Sequence, residues 1–171
     1  MLDYPYDLGT YRRRIATDSA DAELWFNRGL MWTYGFHHEE AELCFKRALE
    51  EDSRCAMAYW GLAYIAGPNY NRPWELFSKK ETAAMLSSCK DNLSTALNHA
   101  TDGVETALIK ALMQRYQAAF PSDDPYLWSA EYAGAMRQVY RDFPNDEDVA
   151  TLFADAMMNR HPWKLWDLKT G

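Results

Sequence analysis

Between Ala22 and Ser53 small and large apolar residues recur at helical spacing, with charged residues between them. Trp25, Gly29 and Trp32 mark one segment, and Ala41, Phe45 and Ala48 mark the next. Gly29 and Ala41 are small enough for two antiparallel helices to approach closely, while Trp25, Trp32 and Phe45 are large enough to fill the seam on either side. This pattern predicts one helix over 21–34 and a second over 39–51, joined by the short turn Gly35-Phe36-His37-His38. Asp21 or Ser19 is placed to cap the first helix.

The pattern recurs in weaker form. Cys55 to Ala66 reads as a third helix, and Gly67-Pro68-Asn69-Tyr70-Asn71-Arg72-Pro73-Trp74 then breaks the rhythm, because proline removes a donor and these residues favour turns. The partner helix is delayed to about 80–99, where Ala83, Ala84, Leu86, Leu93, Ala96 and Leu97 recur near helical spacing. A helix over 104–120 follows, stopped by Pro121-Ser122-Asp123-Asp124-Pro125, which also caps the next over 126–143. After Pro144 a further helix runs over 146–158. The remainder, 159–171, is proline-interrupted yet carries Trp163, Leu165, Trp166 and Leu168.

The signature of Ala22 to Ser53 resembles the tetratricopeptide repeat (TPR), a helical hairpin of about 34 residues. Trp25, Gly29, Trp32, Ala41, Phe45 and Ala48 stand at its signature positions. The run Cys55 to Tyr64, with Gly67-Pro68-Asn69-Tyr70-Asn71 and Pro162-Trp163, is similar to a group of longer microbial TPR-domain proteins without an assigned activity. The resemblance implies an all-α, right-handed TPR-like α-solenoid of antiparallel helical hairpins, in one domain over 1–171. Its parts are an N-terminal arm (1–18), the clearest repeat (22–55), a second repeat with a loop insertion (56–100), further helical pairs (104–158) and a C-terminal segment (159–171). It further implies a concave face built by the first helix of each pair, with Phe26, Asn27, Leu30, Met57, Trp60 and Tyr64 as candidate binding residues. A repeat array ends in a polar capping helix, and none is visible here, so more repeats or a partner are expected beyond 158. Clamps for a chaperone's terminal carboxylate need convergent cations in the groove. Only Asn27 matches that set, so such a clamp is not expected.

Composition changes the picture in two places. The chain of 171 residues is 48% apolar and 25% charged, which is globular, and its aromatic share of 15% supplies both interhelical fillers and anchors for an interface. A net charge of −7 argues against nucleic acid, since phosphate binding needs clustered Lys and Arg, and the basic groups are only Arg12-Arg13-Arg14 and Lys79-Lys80. The arginine trio reads as a solvated or helix-docking segment. No stretch has the length of a membrane span, and the first residues lack a basic start before an apolar core, so no membrane partner and a cytoplasmic location are expected. Cys44, Cys55 and Cys89 are odd in number and fall in predicted helices, which reads as free, buried thiols.

Polar groups crowd most at the first turn. His37-His38-Glu39-Glu40 puts His37 and Glu40 three residues apart, but a metal needs at least three convergent ligands and only His99 and His161 remain. Glu39 and Glu40 suit the start of a helix, where the dipole favours negative charge. There is no nucleophile elbow, phosphate loop, HExxH or CxxC. No catalytic residue, metal or cofactor is assigned. The expectation is a protein- or peptide-binding scaffold, with self-association or a structural role in a longer chain as the second reading. An enzyme or metal-binding protein using the 67–74 loop and His37/His38 is the third.

Overall fold

The computed structural model of the chain describes residues 4–118, 124–164, 166 and 168–170, and its ordered elements are helical. They are α1 (Ala20–Tyr34), α2 (His38–Glu51), α3 (Ala56–Ala66), a single 3-10 turn (Trp74–Leu76), α4 (Lys79–His99), α5 (Gly103–Met113), α6 (Tyr126–Asp142) and α7 (Glu147–Met158). The starts have chemical causes. Ser19 caps α1 by accepting from the Ala22 amide, Ser78 and Glu81 close a reciprocal capping box on α4, and Asp102 and Asp146 cap α5 and α7. Each helix packs chiefly on its neighbours in sequence, and α3 also touches α1 and α5.

The first three helices meet at one ring. Phe45 of α2 is fully buried, and a Cβ built on Gly29 of α1 or on Gly61 of α3 would stand 2.6 Å from its ring carbons. Carbon atoms in contact want about 3.5–4.0 Å, so only glycine fits on either side. Phe26 completes this layer, its ring centroid 5.8 Å from that of Phe45.

Trp25 and Trp32 pack against the core from its edge. They share a stripe of α1 turned away from Phe26 and Leu30, because successive helical residues turn by about 100°. Both are half-buried, and the N-terminal arm covers them: Tyr4 sits edge-on to Trp25 and Tyr6 edge-on to Trp32, at 5.4 Å and 5.2 Å between centroids. The Trp32 indole N–H donates to the Tyr4 hydroxyl over 2.6 Å.

The helix expected over 104–120 ends early, at Met113. The amides of Gln114, Arg115 and Tyr116 then bond to carbonyls three residues back, a tightened turn in place of the α ladder. The stop expected over 121–125 lies mostly outside the described residues. Pro125 occupies the N-cap seat of α6 without a side-chain cap, and Asp124 accepts from the Tyr126 amide. Farther on, Tyr70 of the 67–74 insertion meets Trp163 of the C-terminal segment at 5.1 Å between ring centroids.

The arm continues inward along α1 and ties the first helix to the last. Asn27 holds the Arg13 backbone from both sides, accepting its N–H at 2.6 Å and donating to its carbonyl at 2.9 Å. The buried Arg13 guanidinium donates to Asp146 at 2.8 Å and to Asp148 at 3.0 Å, and the hydroxyls of Tyr11 and Tyr34 also donate to Asp148. Of the arginine trio only Arg13 docks; Arg12 and Arg14 are exposed. Beyond it, the Ala16 amide donates to the buried Glu105 carboxylate of α5, and Thr17 donates to Asp52.

Two outcomes check this architecture. Gly61→Ala and Gly29→Ala should each lower stability by about 1–3 kcal/mol through overpacking against Phe45, although alanine is the better helix former by about 1 kcal/mol. Unchanged thermal midpoints would mean that the ring can move aside and the contact is no constraint. Arg13→Met should cost about 3–5 kcal/mol by leaving Asp148 buried without its cation, and adding Asp148→Asn should restore part of it. Burial alone would raise the Asp146 carboxyl, but the Arg13 hydrogen bond and charge hold it below its ordinary 3.8. Its contribution is therefore fully present above that value and fades as pH falls through the lowered native one. Acid titration of stability should show a shallower loss in Arg13→Met.

Candidate functional site

A cavity of about 370 Å³ lies where the C-terminal ends of α1 and α3 face α7. The local sequence explains how its polar groups come to be there. Because α5 stops at Met113, the tightened turn sends Tyr116 and Arg115 inward. Tyr116 donates to the Ala63 carbonyl at 3.0 Å, and its hydroxyl occupies the space that a side chain at Gly67 would need. The glycine that breaks the repeat rhythm is thus the room into which Tyr116 fits. Trp74 anchors the rest of the insertion, buried and donating to Ser129.

Arg115 borders the cavity and is 3% exposed, yet its side chain makes no hydrogen bond or ion pair among the described residues. Three aromatic faces surround its guanidinium: Tyr132 at 5.5 Å, and Tyr64 and Tyr116 at 5.7 Å each. Such contacts offset part of the cost of burying a cation. Burial raises all three phenols far above their ordinary range, so they stay neutral donors. Asp155 of α7 borders the same cavity, and one of its oxygens, Oδ2, accepts from Tyr64 at 2.7 Å and from Asn159 at 2.8 Å. His38 lines the wall; burial, and then the Arg115 charge, lower its pKa, so it is neutral near pH 7. Leu152, Ala154 and Met158 make the opposite wall apolar.

Phe36 stands at the rim, 56% exposed, with φ at 58°. It occupies the left-handed seat of a helix stop, where its amide bonds to Thr33 and that of His37 to Trp32. Glycine is the usual occupant of this seat, and here Gly35 comes one residue too early. A bulky residue held in this conformation is a strained position of the kind that collects at binding sites.

Of the six residues that the repeat numbering puts on a concave face, most are buried. Phe26, Leu30, Met57 and Trp60 are buried in the core, so they form no open aromatic face within this chain. Asn27 is buried beneath the arm, and Tyr64 alone of the six lines the cavity. His37 spends its Nδ1 as the N-cap of α2, accepting from the Glu40 amide. Burial pushes the Cys55 and Cys89 thiols up to about 11, which leaves them protonated and poor nucleophiles near neutral pH. Sequence reasoning missed Arg115, Asp155 and Phe36. Each lay in a segment read as plain helix or turn, and the only available signal was an arginine amid an apolar helical stripe.

No protein-family model, curated protein or solved structure matches the chain.

Phe36→Gly should stabilise the protein by about 1 kcal/mol, the order of the left-handed penalty for a residue with a side chain. Denaturant midpoints check it. A lower midpoint would mean that the ring's contacts outweigh the backbone cost.

Proposed function

We propose that this chain is a TPR-like α-solenoid of antiparallel helical hairpins, a cytoplasmic interaction scaffold whose inner face holds extended polypeptide. One observation carries the reading: Asn27 bonds both the N–H and the carbonyl of Arg13 in a segment without helix or strand. Backbone pairing of this kind recognises a peptide whatever its side chains, and pockets beside it then select the sequence. Here the occupant is the chain's own arm, and the selective contacts are Arg13 with Asp146 and Asp148, and the Ala16 amide with Glu105. The small-and-large repeat pattern and the packing of each helix on its sequence neighbours support the solenoid part.

The test separates groove from occupant. A chain beginning at residue 19 is titrated with a synthetic peptide of residues 4–18, while helicity and the melting midpoint are followed. Saturable stabilisation is expected, since a ligand that binds only the native state stabilises it. Asn27→Ala should weaken the peptide by about ten-fold or more, the value of two hydrogen bonds at about 0.5–1.5 kcal/mol each. If an excess of peptide changes neither helicity nor midpoint, the inner face is no peptide groove.

A further inference from the structure

We infer that the cavity between α1, α3 and α7 binds a free α-amino acid with an apolar side chain, its carboxylate on Arg115 and its ammonium on Asp155. This goes beyond the scaffold reading and does not depend on it.

The argument starts from charge. Arg115 is a permanently charged, buried guanidinium that makes no ion pair among the described residues; Asp155 borders the same cavity and its charge reaches Arg115 without direct contact. An unpaired buried charge is costly and persists where something repays it. Arg115, Tyr132 and Asn159, each with a buried polar atom lacking a partner, also line a separate void of about 10 Å³, room for one water. A water there would complete hydrogen bonds but would not balance charge. The Asp155 carboxylate receives both of its protein bonds on Oδ2, which leaves Oδ1 for a donor from the cavity.

The pair selects the ligand class. A lone carboxylate would satisfy Arg115 and set a second anion against Asp155; a lone amine would do the reverse. A group carrying both charges meets both residues, and His38, neutral near pH 7, adds none. Of the remaining lining, Leu152, Ala154, Met158 and Phe36 offer an apolar seat for the ligand's body, while Thr33, Asn69 and Thr151 are uncharged and add no competing ion. The volume, 370 Å³, is at the small end of ligand cavities and suits one such molecule.

Calorimetry and thermal shift on the full chain decide the matter, with L-phenylalanine and L-leucine as probes. N-acetyl-L-phenylalanine, which lacks the ammonium, and L-phenylalaninamide, which lacks the carboxylate, are the comparisons. Saturable binding of either amino acid is expected, with both derivatives of phenylalanine weaker by about ten-fold or more. Asp155→Asn keeps an acceptor for Tyr64 and so preserves the fold contact; it should reduce phenylalanine to the level of its N-acetyl derivative and leave that derivative's affinity unchanged. Equal binding of phenylalanine and either derivative would overturn the two-point reading. So would equal affinity of the wild type and Asp155→Asn for phenylalanine, or the absence of binding by both amino acids at millimolar concentration.

Discussion

The Phe45 ring is gripped by the backbones of two other helices, and the positions of α1, α2 and α3 follow from that grip. Gly29 and Gly61 bring α1 and α3 close enough that any side chain would collide with the ring. Glycine inside a helix costs about 0.5–1 kcal/mol relative to alanine, and at both sites the close packing offsets it. The same geometry removes Phe26, Leu30, Met57 and Trp60 from any open surface, since the residues that flank this layer are buried by it. Polar groups lie beside this layer: Asn27 under the arm, and Tyr34 and Tyr64 toward α7.

Helix α7 is joined to the arm, α1 and α3 by hydrogen-bonded charges as well as by the buried Val149 and Leu152. Arg13 lies between two carboxylates, and two tyrosine hydroxyls complete the shell of Asp148. A group so fully bonded repays much of its desolvation, whereas removal of one member leaves the others orphaned. The arm is therefore part of the fold's closure, even though it contains neither helix nor strand.

Legibility in the sequence followed the range of the interactions. The span of α1 and α2 and the close approach at Gly29 were readable, because helical spacing and a small-against-large pair are local facts. The loop insertion and the delayed start of α4 were readable from Gly67, Pro68 and Pro73. The early end of α5 was not: nothing in Gln114-Arg115-Tyr116-Gln117 breaks a helix, and the stop is set by Tyr116 reaching Ala63 across the packing. The docking of Arg13 was invisible for the same reason, since its partners Asp146 and Asp148 lie far along the chain. Phe36 escaped because Gly35 is the residue that a helix stop advertises, and the left-handed turn falls one position later.

Arg13 and Arg115 are the two arginines buried among the described residues, and they are treated differently. In an acidic chain carboxylates are not scarce, and Arg13 collects two of them while Arg115 is surrounded by tyrosines. If Arg115 served only to hold α5 against α6, a neutral side chain of similar volume would serve without the desolvation cost. Asp155, which borders the same cavity, is held by Tyr64 and Asn159 and makes no ion pair with it. Opposite charges that border one cavity without pairing are poised for something between them, and this makes the cavity more than a packing defect.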